Sequence, residues 1–142
     1  MEVQKIIKSD GLLANVRAMG ELLSRLLWAT VADHPNVGDV RGRGLFWAVE
    51  FVRDKENKFP FGPGINVAME LSELGLTEKY GIAVYPGNGT ADGLLGDHII
   101  IAPAYNVTGA EVEAVVRTLQ KLIVDYFASL SRASAQLVGS NE

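Results

Sequence analysis

Cysteine is absent from this chain of 142 residues. Its absence excludes disulfides, thiolate metal sites, iron–sulfur ligation and a cysteine nucleophile. Histidine is scarce. Only His34 and His98 occur, far apart in sequence, which excludes a histidine-rich metal centre. Basic charge is also short. The 13 lysines and arginines face 17 aspartates and glutamates, for a formal net charge of −4. A general nucleic-acid binder carries a basic face, so no nucleic-acid partner is expected. No apolar run approaches the roughly 20 residues of a membrane helix. The stretch Met1 to Asp10 mixes charge with apolar residues and has no signal-peptide core. A cytoplasmic chain with no membrane partner is the expectation. No serine falls in a nucleophile-elbow context, and no carboxylate pair has an obvious acid–base arrangement. The pattern alone assigns no catalytic and no metal residue.

What is present is ordinary globular material. Apolar residues make up 48% and charged residues 21%, enough for one domain with one core. Leu12, Val16, Met19, Leu23 and Leu26 step by four and three, with Leu13, Leu22 and Leu27 widening the stripe. The spacing predicts a helix over 12–32, after a short one over 2–8. A stripe this wide needs a large partner surface, in this chain or in another. His34-Pro35-Asn36 stops the helix, and His34 reads as a cap on its C-terminal end. A glycine-punctuated stretch follows over 37–44. Leu45 to Val52 reads as a strand, Ile65 to Lys79 as a weaker helix with Gly75 as an early stop, and Gly81 to Tyr85 as a short strand. Asp97 to Ala102, with its Ile99-Ile100-Ile101 run, reads as a central strand. Thr108 and Glu111 match a capping box at the head of the last helix, whose apolar face runs from Val112 to Phe127. The strands and helices do not alternate regularly, which predicts an α+β domain with a small sheet of about three strands covered by helices. Residues 1–34 read as connecting helices, 35–130 as the α+β domain, and 131–142 as a flexible tail.

The most suggestive segment is the loop from Pro86 to Gly96. Its four glycines allow a backbone to approach a ligand closely, and Asn88, Thr90 and Asp92 supply polar groups beside Gly89. The loop leads into a strand and lacks the third glycine of a dinucleotide fingerprint, so no helix N-terminus waits there for a phosphate. It is long for a plain hairpin turn. A pocket-lining loop and a long turn both remain open. Arg41-Gly42-Arg43-Gly44 reads as a tight entry into the next strand with solvated or paired arginines, because a single copy in an acidic chain is no RNA-binding repeat. The sequons at Asn88 and Asn106 are chance matches without a secretion signal. Asp97 and His98 read as a structural pair, with acid–base work as the alternative. Glu50 sits among apolar residues and faces either a buried partner or solvent.

Read in order, the segments resemble a known family. Val37 to Phe51 resembles the "vgdvRGxGLfxaiEf" stretch of class III aminotransferases. Gly89-Thr90-Ala91-Asp92-Gly93 with Gly96 to Pro103 resembles that family's "GTxDGxxGDHxxxAPP" stretch. Gly11 to Gly20, Asn106 and the helix headed by Thr108 match the flanking segments, so the resemblance covers residues 2 to 130. It implies a pyridoxal-phosphate-dependent enzyme of fold type I that is an obligate dimer. It maps this chain onto the connecting helix and the small C-terminal domain, whose sheet is mainly antiparallel. The family's Schiff-base lysine, the aspartate on the pyridine nitrogen and the phosphate-binding loops have no counterpart in this chain. None of Lys5, Lys8, Lys55, Lys58, Lys79 or Lys121 sits in the lysine's context. The protein must supply that lysine for the cofactor to act as an electron sink. No pyridoxal phosphate is therefore expected on this chain alone, and no turnover. Some members bind a substrate α-carboxylate with an arginine two residues before the Ala-Pro step. Ile100 stands there here, and Pro103-Ala104 replaces Pro-Pro. An amine or ω-amino acid donor with a keto acid acceptor such as pyruvate fits this subset better. Expected partners are the large cofactor-binding domain, or a second copy through the apolar helix face as a homo-oligomer. The alternatives are a non-catalytic interaction module derived from that domain and a regulatory domain that binds a small molecule at the glycine loop.

Overall fold

A computed structural model describes the backbone of residues 2–139 and the side-chain environments of residues 2–136. Two strands carry the strongest alternation. In β2 (Phe46–Phe51), Trp47, Val49 and Phe51 turn inward; in β4 (Asp97–Ile101), Asp97, Ile99 and Ile101 do so. They pair antiparallel, with Val49 opposite Ile99. β1 (Val37–Arg43) pairs with the outer edge of β2, and β3 (Tyr85–Asn88) with the outer edge of β4. The result is a four-stranded antiparallel sheet of order β1-β2-β4-β3.

The helices cover one face of that sheet. α2 (Leu12–Thr30) places Leu23 and Leu27 in the core, and α3 (Val67–Gly75) adds Val67 and Leu71. α4 (Gly109–Gly139) adds Val112, Val116, Leu119, Leu122, Ile123 and Phe127. α1 (Glu2–Ser9) buries no residue. The α+β class is therefore as expected, with one more strand than the sequence suggested.

Three local differences have physical causes. The glycine-punctuated stretch 37–44, where no strand is expected, holds β1 over Val37–Arg43. Its glycines permit close packing: a Cβ at Gly42 would meet the Phe46 carbonyl oxygen at 2.3 Å, and one at Gly38 would meet Val52 at 2.7 Å. The strand expected over 81–85 lies later, at 85–88. Residues 82–84 are held by α3 instead, through Ile82 N–H to the Gly75 carbonyl and the Ser72 hydroxyl to the Val84 carbonyl. Pro86 is tolerated because β3 is an edge strand. The tail expected past Ser131 continues α4 as far as Gly139, with the Ser134 hydroxyl donating to the Leu130 carbonyl; residues 140–142 lie outside the described residues.

Candidate functional site

The glycine loop is built by its own polar groups. Gly89 N–H donates to the Gly96 carbonyl at 2.8 Å, and Gly93 N–H returns to the Gly89 carbonyl at 3.0 Å. Gly89, Gly93 and Gly96 all take positive φ, the region glycine enters without steric cost. Asp92 accepts from Leu94 N–H at 2.8 Å and Leu95 N–H at 2.7 Å. Those two amides hold its carboxyl below the usual aspartate range. The Thr90 hydroxyl lies where a Cβ on Gly96 would fall, 2.6 Å away. Of the four residues singled out in the sequence, Gly89, Thr90 and Asp92 shape the loop.

Asn88 does something different. Its amide NH2 donates to Asp97 Oδ1 at 2.9 Å and to Asn66 Oδ1 at 3.1 Å. Asn66 caps α3, since its Oδ1 also accepts from Met69 N–H at 3.1 Å. Asp97 Oδ1 accepts from Ala68 N–H, one residue earlier on the same helix end. One buried carboxylate thus joins β4, the glycine loop and the head of α3. Burial is the main cause that raises the Asp97 pKa, and Glu70 adds to it. Nearby, the Tyr126 hydroxyl donates to Glu70 Oε2 at 2.8 Å, and burial followed by that bond raises its pKa. Between the glycine loop and residues 61–66 lies a hollow of about 700 Å³, onto which Asn66, Asn88, Asp92 and Asp97 open. Asp97 and Asn66 were not singled out as site residues. An asparagine just before an apolar run is a capping signal that marks Asn66; nothing in the sequence says that Asp97 reaches α3.

The sheet's other face carries no part of the core. Arg41 bridges Asp39 at 2.7 Å and Glu50 at 2.6 Å, and both carboxylates raise its pKa. Glu50 therefore has a partner on the half-open side. His98 lies opposite Glu50 on β2 and Gly87 on β3, and a Cβ at Gly87 would strike its ring. Its Nδ1 is buried with no hydrogen-bond partner. Adjacent strand residues point to opposite faces, so Asp97 and His98 do not form the pair the sequence suggested. Ile100 sits on this open face, flanked in register by Ala48 and Tyr85.

His34 does not cap α2. Lys55 holds the turn that follows α2, donating to the Ala32 carbonyl at 2.6 Å and the His34 carbonyl at 3.2 Å. His34 Nδ1 accepts from Asn36 N–H instead, and its ring packs on Phe127. Burial, then the Lys55 charge, lower its pKa.

No family model matches the chain. An aminotransferase of Gibberella zeae is 48% identical over 124 residues, which are 87% of this chain and 24% of that protein. The diaminobutyrate–2-oxoglutarate transaminase of Halomonas elongata is 32% identical over 130 residues, 92% of this chain and 26% of that protein. The chain is homologous to the class III aminotransferases. A solved aminotransferase from Vibrio fluvialis, in its PMP-bound form, superposes with a TM-score of 0.74 at 27% identity, over 87% of this chain and 25% of that one. The aminotransferase relatives are thus matched over a domain-sized stretch, and the chain spans about a quarter of their length. These aminotransferases depend on pyridoxal phosphate.

The residues present do not fit that cofactor as its holder. No lysine opens onto the hollow beside the glycine loop or onto the larger groove along α2. Lys55 holds the turn after α2, Lys58 donates to the Gly38 carbonyl, Lys79 and Lys121 hold Asp125, and Lys5 pairs with Glu2. Among the described residues, no helix is long and apolar enough to cross a membrane, and no cluster of ligating side chains could hold a metal ion.

Proposed function

We propose that this chain is the small C-terminal domain of a transaminase that moves an amino group from an amine or ω-amino acid to a keto acid such as pyruvate. The observation that carries the reading is Ile100. It lies half-buried on the open sheet face between Ala48 and Tyr85, where related enzymes that bind an α-carboxylate carry arginine. An apolar side chain there offers no charge to a donor's α-carboxylate, and the carboxylate of pyruvate is met by a group outside this chain. The glycine loop, with Asn88, Gly89, Thr90 and Asp92, lies on the substrate side in this reading. The large cofactor-binding domain covers the open face, the whole enzyme is a dimer, and it works in the cytoplasm. The chain by itself is inactive, because every residue that would hold the cofactor belongs to the part not in this sequence. The apolar groove along α2 favours one other reading, a non-catalytic interaction module.

A chimera tests both halves. Residues 1–142 replace the matched stretch of the Gibberella zeae aminotransferase, and alanine formation from pyruvate is followed with a simple amine as donor. The chimera turns over and the isolated chain does not. Turnover by the isolated chain, or a folded chimera that binds the cofactor yet transfers nothing, overturns the proposal.

A further inference from the structure

Among the asparagines of this chain, Asn88 alone is followed by glycine. Asn15, Asn36, Asn66 and Asn106 precede valine, Asn57 precedes lysine and Asn141 precedes glutamate. A valine branched at Cβ stiffens the chain and crowds its own backbone nitrogen. Glycine has no Cβ and leaves that nitrogen open. Asn88 is also exposed, and it is the last residue of β3, an edge strand of 4 residues. Its register partner is Asp97 on β4. Beyond it the chain turns at Gly89, with φ 82°, into the glycine loop. The end of a short edge strand opens at little cost in free energy. Asn88 Cγ and the Gly89 nitrogen belong to neighbouring residues, and joining them closes a cyclic imide without any second molecule.

We propose that Asn88 is a site of spontaneous deamidation, and that its conversion releases the glycine loop from the head of α3. The Gly89 backbone nitrogen attacks Asn88 Cγ. A new C–N bond forms, the carboxamide C–N bond breaks, and ammonia leaves with the Gly89 amide proton. Water then opens the imide at either carbonyl, giving aspartate or isoaspartate. Water is the one co-reactant, so the reaction stands whether or not the chain belongs to a working transaminase. Hydrogen bonds on both reacting groups slow it. Gly89 N–H is engaged by the Gly96 carbonyl at 2.8 Å. The Asn88 amide is fixed on Asp97 Oδ1 and Asn66 Oδ1. Ring closure therefore waits for the strand end to open. The product has no N–H to donate. A carboxylate then faces Asp97 Oδ1 across what was a 2.9 Å hydrogen bond, and the charge of Glu70 already bears on Asp97. Like charges so close repel. Asp97 keeps only Ala68 N–H, and Asn66 loses its tie to the loop. Isoaspartate also lengthens the backbone by a methylene and breaks the Asn88–Asp97 register. Asp92-Gly93 has the same spacing, but a carboxylate is a poorer electrophile than a carboxamide, and Leu94 and Leu95 N–H hold its Oδ1.

The full chain is incubated at mildly alkaline pH and mapped by peptide mass spectrometry, with isoaspartate measured by methyltransferase labelling. In the folded chain the acid appears at Asn88 before any other asparagine. In guanidinium chloride it appears there at least about tenfold faster, since the opening step is gone. Asn66→Ser keeps a helix cap and removes one acceptor from the Asn88 amide. It speeds the reaction several-fold in the folded chain and leaves the rate in guanidinium unchanged. The acidic product, separated by ion exchange, and Asn88→Asp both exchange amide hydrogens faster at Gly89 and at the head of α3, while β2 exchanges as in the natural chain. The natural product gives the same reading should Asn88→Asp fail to fold. Conversion elsewhere before Asn88, an Asn88 that stays intact in the folded chain, or a rate in guanidinium no greater than the folded rate overturns the proposal. So does an acidic product whose loop exchanges no faster than before.

Discussion

Asp97 is the residue on which most of the local order converges. Its Oδ1 accepts from Ala68 N–H and from Asn88, so truncation to alanine leaves a buried helix-end N–H without its acceptor. Asp97→Ala is expected to cost about 1–3 kcal/mol in urea unfolding. Asp97→Asn keeps an oxygen in place and removes the buried charge. The folded-state pKa of Asp97 lies above its ordinary 3.8, so the folded chain binds this proton more tightly than the unfolded one. Stability from that source is full below 3.8 and is lost as pH rises through the folded value. Asp97→Asn is therefore expected to gain on the natural chain as pH rises from 4 to 7, and to lose the advantage toward pH 4. A pH series of urea midpoints checks the sign; a constant difference would remove burial as the cause. The residue's role was hidden in the sequence. Its neighbour His98 invited a local pair, and only the alternation of strand faces separates the two.

Helix ends were partly legible. Thr108 and Glu111 form the box their spacing announced: Glu111 N–H donates to the Thr108 hydroxyl at 3.3 Å, and Thr108 N–H to Glu111 Oε2 at 2.8 Å. Both groups lie within three residues, and such contacts are written locally. The turn after α2 was not legible, because the side chain that holds it, Lys55, comes more than 20 residues on. Lys55→Met removes two hydrogen bonds and a cation from the turn that follows α2. It is expected to cost about 1–2 kcal/mol. It also removes one of the two causes that lower the His34 pKa. The His34 titration followed by NMR is then expected to move upward, part of the way to 6.5, since burial, the larger cause, remains. An unmoved titration would mean that Lys55 does not act on the ring. β1 shows the same limit. Its glycines interrupt the side-chain pattern by which a strand is read, whereas here Gly38 fits against the Val52 side chain and Gly42 against the Phe46 carbonyl.

On the scale of the whole molecule, the leucine-rich stripe of α2 calls for a large partner surface, in this chain or in another. It divides. Leu23 and Leu27 are wholly buried in this chain's own core, while Leu13 at the other end stands exposed beside the groove. Periodicity gives a stripe and its width; it does not say which stretch meets the home sheet, since that depends on where β1, β2 and α4 lie. The glycine loop was legible as an unusual segment, and its companion Asn66 only as a helix cap. The division of α2 has a consequence for the N-terminus. Gly11, at positive φ, breaks α1 from α2, and α1 buries nothing, so residues 2–10 contribute little to the fold. Their removal is expected to change the unfolding free energy by less than about 1 kcal/mol. In the intact chain, amides of α1 exchange first and those of β2 and β4 last, because opening energies follow buried contact. Hydrogen exchange read by mass spectrometry ranks the segments directly. Slow exchange in α1, or collapse of the truncated chain, would mean that α1 is held by a contact this fold lacks.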